Sequence, residues 1–253
     1  GFEVAVKVFK YIRALPPPAV KTSFRKELAA MHVLQHPNLV TILGATTHPK
    51  LAIVMAYCSQ GTMYGVVRDS SFSLSALDRC NLGLDVARGL AHLHANKVIH
   101  RDVKTSNVLL DLGPDRLMAK LADFGSVYNL SGVDDKAFTE LGTSGYTSPE
   151  VLGGIATESG YGTSADVWSF GVILWELFCE DPRQNRFVGV PPVRYCRALE
   201  TGQRLDFPAD ADPDVVSLVA ACWEWLPTAR PTMTSVVAQL EAIAARLGGA
   251  TPL

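Results

Sequence analysis

An α+β chain of two lobes is what the sequence predicts: a small, β-rich N-terminal part and a larger, mainly helical C-terminal part. Three observations carry this expectation. Short apolar or alternating runs, the mark of strands, fill the chain up to about residue 57. Stretches with apolar residues at helical spacing dominate from Ser75 onward. Between them, residues 57–65 include Ser59, Gly61 and Gly65, the composition of a hinge. A length of 253 residues suits one domain of two lobes, or two small domains.

Residues 1–9 read as a strand, because Val4, Val6 and Val8 alternate with Ala5, Lys7 and Phe9. Pro16, Pro17 and Pro18 then break the chain. A helix is predicted over residues 23–34, with Phe24, Leu28 and Met31 on one face. Strands follow at 40–43 and 51–55. Ser75, with Asp78 three residues on, forms a capping-box pattern, and the helix it opens carries Leu82, Val86, Leu90 and Leu93 on one stripe. Short strands are expected at 98–99, 108–110 and 120–122. Residues 125–149 are rich in Gly, Ser, Thr and Asp without a period, a loop long enough to be functional. Residues 166–178 are apolar on nearly every face, so this helix should be the buried central post of the larger lobe. Residues 214–226 and 233–247 read as amphipathic helices, and the last six residues as a frayed tail.

Composition excludes several classes. With 48% hydrophobic and 19% charged residues the chain is not intrinsically disordered. A formal charge of -2 and a pI near 6.3 argue against a nucleic-acid-binding surface. Five scattered cysteines without a C-x-x-C pair oppose a disulfide framework or zinc ribbon and suit a reducing, cytoplasmic compartment. No run reaches 18 uninterrupted apolar residues, so no membrane span is expected in this segment. A start at Gly1, without Met or leader, reads as a piece of a longer chain.

The sharpest chemical signal is His100-Arg101-Asp102-Val103-Lys104-Thr105-Ser106-Asn107, which packs an acid, three basic side chains and an amide into one loop. Asp123-Phe124-Gly125 follows a predicted strand, Ser148-Pro149-Glu150 closes the long loop, and Val4-Ala5-Val6-Lys7 ends in a strand lysine. In this order these motifs resemble the signature set of eukaryotic protein kinases, over residues 1–247. Taken singly, Asp-Phe-Gly is a turn, Lys7 a surface lysine and Glu27 a solvated edge; the ordered set is what discriminates.

The resemblance implies a bilobal kinase-like fold. Residues 1–57 would form a partial N-lobe and hinge, 58–247 the C-lobe and 248–253 a tail. It implies an ATP-dependent, Mg²⁺-requiring enzyme acting on protein substrates. Phosphoryl transfer needs positioned charge more than covalent chemistry. Asp102 would take the acceptor hydroxyl proton, with Lys104 near the γ-phosphate, and Asn107 and Asp123 would supply hard oxygen ligands for the metal. Lys7 would hold the α- and β-phosphates. Glu27 shares a helix stripe with Met31 and Leu34, where a carboxylate is costly unless paired, and the resemblance makes Lys7 its partner.

By the same likeness Met55 is the gatekeeper, Ala56 and Cys58 offer hinge backbone to adenine, and Ala5 and Leu109 sandwich the ring. Ile42, Met31, Phe124 and His100 would stack between the lobes. Asp166 would hold the backbone of the catalytic loop, although Thr163-x-x-Asp166 also reads as a local capping box. Arg230 would pair with Glu150, in a motif where Ser148 replaces the family's alanine.

Lys104, and Thr143 placed to bridge Asp102 and Lys104, resemble the serine/threonine type. The stretch from Asp85 to Leu90, and Cys222-Trp223, resemble tyrosine kinases. The mixture looks like the tyrosine-kinase-like group. Thr139 sits where many related kinases are phosphorylated, with Arg101 as the receiving cation. The departure is at the front: six residues precede Lys7, and none forms the family's glycine-rich loop. A truncated small lobe with little activity of its own is therefore expected, and a pseudokinase or scaffold is the alternative.

Overall fold

The computed structural model describes residues 3–11, 15–130, 137, 142–153, 160–179 and 181–249. It is mixed α+β, with a small N-terminal sheet followed by a helical C-terminal region.

The sheet has the order β1-β3-β2, from β1 (Val4–Val8), β2 (Ile42–Thr46) and β3 (Ala52–Ala56), all antiparallel. Its middle strand is the continuous apolar run Ala-Ile-Val-Met-Ala, none of it exposed, as expected of a strand covered on both faces. Val4, Val6 and Val8 are exposed, which leaves Ala5, Lys7 and Phe9 on the inner face. The Phe9 ring meets Phe24 edge-on at 5.4 Å and seats helix α1 (Pro18–Val33) against that face. α1 starts five residues before the predicted position. The proline run is not simply a break: Pro17 is the N-cap and Pro18 opens the first turn, where no backbone donor is missed. The β2 strand likewise lies later than predicted, because Val40 is engaged with Leu121 instead (Val40 N–H to Leu121 O, 2.9 Å).

That contact belongs to a seam between the sheet and the helical region. Leu121 N–H donates to Asn38 O at 2.8 Å, and Asn38 Nδ2 to Ala119 O at 3.1 Å. Gly89 permits it, since a Cβ there would stand 2.9 Å from Asn38 O. Strands β5 (Val108–Leu112) and β6 (Leu117–Leu121) form a hairpin whose strands outrun the predicted ones; β4 (Val98–Ile99) pairs with β7 (Tyr128–Asn129).

In the helical region, a short α2 (Met63–Val66) follows the hinge, and α3 (Ala76–Ala95) opens with the predicted Ser75–Asp78 capping box. α4 (Ser164–Phe178) is buried on almost every face and packs against α3 and α6 (Pro213–Cys222). α5 (Pro192–Glu200), unforeseen, begins at a Pro-Pro pair that marks a first turn. The predicted 214–226 helix starts at Pro213 and stops earlier, at Cys222, with Trp223 as its C-cap; Pro227 opens a separate short turn. α7 (Met233–Gly249) completes the fold against α3. No described helix is long and apolar enough to cross a membrane. All five cysteines are free and buried.

Candidate active site

Two clusters of charge form where the sheet meets the helical region. The first is built by β1, α1 and the turn after β6. Lys7 Nζ donates to Glu27 Oε1 at 2.6 Å and to Asp123 Oδ1 at 2.8 Å. Glu27 is 2% exposed, so the carboxylate on the apolar stripe of α1 has its cation. Burial pulls the Lys7 amine down, but two carboxylates outweigh it and the net shift is upward. Burial also pushes the Asp123 carboxyl up, and there the Lys7 contact prevails and holds it below the ordinary range. Glu27 differs: burial dominates over Lys7 and its carboxyl is raised.

The second cluster lies in the loop between β4 and β5. Asp102 accepts three side-chain donors. Thr143 Oγ1 donates to its Oδ1 at 2.9 Å, and Asn107 Nδ2 and Lys104 Nζ to its Oδ2 at 2.8 Å each. Lys104 Nζ also donates to Thr143 Oγ1 at 2.8 Å, which closes a triangle. The clusters are joined through the backbone, Ala122 N–H donating to Asn107 O at 2.8 Å, one residue before Asp123.

Both loops contain left-handed non-glycine residues, Arg101 at φ 69 and Asp123 at φ 62, a strain of roughly 1–3 kcal/mol each. Buried Asp166 holds the first: it accepts the N–H groups of His100 at 2.8 Å and Arg101 at 2.9 Å, and contacts His94 Nε2 at 2.9 Å. The local capping reading is corrected, because Thr163 makes no side-chain cap and Asp166 faces the loop instead. His100 is completely buried. It accepts the Asp102 N–H on Nδ1, so Nε2 carries the hydrogen offered to Ala122 O at 3.0 Å, and its ring meets Phe124 edge-on at 5.8 Å. Met31 and Phe124 lie in the same core, with Ile42 packed against it.

Burial pushes the Asp166 carboxyl up, but His94 and the loop N–H groups hold it below the usual carboxylate range. Its stabilising contribution is therefore complete above about pH 4 and lost as pH falls through the lowered value. Asp166→Asn is expected to cost roughly 3 kcal/mol at neutral pH and to flatten the acid limb of a urea-stability curve below about pH 4. An unchanged acid limb would show that another group governs it.

The remaining predicted residues divide. Ala5 pairs with Met55 in the sheet, and Leu109 bridges Thr62 beyond the hinge; all three are half-buried. The Ala56 N–H is already bonded to Thr41 O at 2.9 Å, so any adenine contact at Ala56 must use its carbonyl. Cys58 is buried, and burial pushes its thiol up. Glu150 and Arg230 form a buried two-pronged pair at 2.6 and 2.9 Å. Arg101 Nε donates to Ser126 O, and its guanidinium lies 5.2 Å from the Tyr128 ring centre. Thr139 lies outside the described residues. Sequence reasoning missed Glu176, fully buried in α4, which accepts Arg68 Nη2 at 2.6 Å and the hydroxyls of Thr105 and Tyr146 at 2.7 Å each. The signal was available: a carboxylate inside an apolar helix requires partners.

The sequence profile described as protein tyrosine and serine/threonine kinase matches residues 1–240. The chain belongs to the protein kinase family. Its curated relatives include a probable serine/threonine-protein kinase, drkD, of Dictyostelium discoideum, 37% identical over 87% of this chain and 16% of the relative. The RGS domain-containing serine/threonine-protein kinase A of the same organism is 31% identical over 96% of this chain and 20% of its own. The serine/threonine/tyrosine-protein kinase HT1 of Arabidopsis thaliana is 34% identical over 88% of this chain and 55% of its own. The kinase chain thus spans from about a sixth to just over half the length of these relatives.

The family uses ATP and Mg²⁺, and the donor set suits them. Among the described residues no group of three or more His, Cys, Asp or Glu side chains could hold a metal unaided. Mg²⁺ is commonly held by one or two carboxylates together with nucleotide phosphates and water. Asp123 supplies a carboxylate. Asn107 turns its Nδ2 to Asp102, so Oδ1 is the atom with which it would face a metal.

Proposed function

We propose that residues 1–247 are the catalytic domain of an ATP-dependent serine/threonine protein kinase, with 1–57 as small lobe and hinge and 58–247 as large lobe. The observation that carries this reading is the closed Asp102–Lys104–Thr143 triangle beside the Lys7–Asp123 pair. Asp102, oriented by three donors, accepts the proton of the acceptor hydroxyl. Lys104 places a cation beside the base, where charge develops on the transferred group. Lys7 is held by Glu27 for the nucleotide phosphates, and Asp123 with Asn107 would hold the metal. When bound, Mg·ATP supplies the phosphoryl group and the cation that neutralises its charge. The hinge backbone at Ala56 and Cys58, with Met55, Ala5 and Leu109, would receive adenine. The threonine contact to both Asp102 and Lys104 supports Ser/Thr over Tyr specificity.

The test is phosphoamino-acid analysis of protein substrates treated with the full-length enzyme, which carries whatever precedes Lys7. Phosphoserine and phosphothreonine are expected, and phosphotyrosine alone would reverse the specificity. A thermal-shift titration separates enzyme from scaffold. The shift produced by ATP should disappear in EDTA and in Asp123→Ala, whereas an equal shift in EDTA would favour a scaffold.

A further inference from the structure

The seam between the sheet and the helical region holds a pair of histidines that the two charge clusters do not use. His36 lies in the loop after α1, and its ring stacks on that of His92 in α3, with centres 5.0 Å apart and planes 26° from parallel. His36 also closes the turn of that loop, because its Nδ1 accepts the N–H of Asn38 at 3.1 Å. Only a ring nitrogen without a proton can accept, so this contact requires the neutral imidazole. Asn38 is buried, and it ties the loop to β6: Leu121 N–H donates to Asn38 O, and Asn38 Nδ2 to Ala119 O.

The surroundings oppose a charge on this ring. His92, Arg88 and Asp85 face it from α3 and Lys120 from β6, and the last turn of α1 carries His32. Lys120 Nζ donates to Pro37 O at 2.8 Å, one residue from His36. The carboxylate in this set, Asp85, has both oxygens on Arg116, at 2.7 and 2.8 Å. Burial, then His92 and the cations Arg88 and Lys120, outweigh Asp85 and hold the His36 imidazole below its ordinary value. A histidine lowered in the folded chain contributes stability that is complete above its unfolded value, about 6.5, and is lost as pH falls below it.

We propose that His36 is an acid-sensitive latch on this seam: on taking a solvent proton at Nδ1 it drops the Asn38 N–H, sets two donors against each other and frees the loop that ties α1 to β6. The latch bears on both sides of the Lys7 cluster, because α1 carries Glu27 and β6 leads into Asp123. The proposal concerns the fold and stands whether or not the chain transfers phosphate.

The test is hydrogen–deuterium exchange of the full-length protein at about pH 7.5 and about pH 5.5, either side of the ordinary histidine value. Exchange is read in peptides over residues 35–41 and 117–121 and corrected for its intrinsic dependence on pH. In the wild type, both peptides are expected to exchange about threefold or more faster at the lower pH, as local opening becomes easier. His36→Asn keeps an oxygen that can accept the Asn38 N–H but takes up no proton in this range, and should show no such rise. Wild-type exchange that does not rise would overturn the proposal. So would a rise that persists in His36→Asn, which would assign the effect to another group, Glu27 first, since burial raises its carboxyl. An equal rise in α5, which is no part of the seam, would overturn it as well, by showing general loosening in acid.

Discussion

Asp102→Asn in the full-length kinase is expected to lower turnover by about 10² to 10⁴ while leaving nucleotide affinity nearly unchanged. The geometry makes this a clean substitution. An asparagine can keep an oxygen toward Asn107 and Lys104 and turn its amide to Thr143, whose hydroxyl can reverse from donor to acceptor. The loop itself is held from elsewhere, by Asp166 on His100 and Arg101. What disappears is the oxygen that can take a proton and the charge facing Lys104. Steady-state kinetics at saturating ATP, with a thermal melt to verify folding, measure the effect. Turnover within about tenfold of wild type would remove Asp102 as the base.

The largest stability effect is expected at Glu150. Its pair with Arg230 is almost wholly enclosed, and Arg230 also donates to Ser164 O and Glu224 O at 2.9 Å each while lying 5.0 Å from the Trp168 ring centre. Those carbonyls hold the guanidinium in place but cannot neutralise it. Glu150→Ala therefore leaves a buried, uncompensated cation, at a cost of about 3–5 kcal/mol. For a chain of this size that corresponds to a fall of roughly 6–20 °C in melting temperature. Combining Glu150→Leu with Arg230→Met removes both charges and should recover much of the loss, because paired burial is close to neutral against an apolar substitute. Denaturant unfolding of the single and double variants measures the coupling. A single variant within about 1 kcal/mol of wild type would mean that water reaches Arg230. Activity should fall with stability here, since Glu150 anchors the segment that carries Thr143.

Much of the site is legible in the amino-acid sequence. The ordered motifs name Lys7, Asp102, Asn107 and Asp123, and the carboxylate on an apolar stripe points from Glu27 to a hidden cation. Element types are legible where a period runs long, as in the helices after Ser75 and around Trp168. Boundaries are not, where a residue serves two purposes. Pro18 both interrupts a strand region and starts a helix, and Val40 has strand character but pairs with Leu121 across the seam. Thr163 and Asp166 fit a capping rule that acts over one turn, yet the carboxylate faces a loop more than sixty residues earlier in the chain.

Periodicity and residue type alone determined which faces would be buried, which charges would need partners and which chemistry the loop could support. They act through neighbours one to four positions apart. Tertiary structure decided the partners themselves. Asp123 comes to Lys7 from 116 positions away, Glu150 to Arg230 from 80, and Glu176 to Thr105 from 71. A buried charge must find a counter-charge or donor within hydrogen-bond reach. Which of the many candidates supplies it depends on how β1, α1, α4 and the loops are packed, and a one-dimensional spacing does not contain that distance.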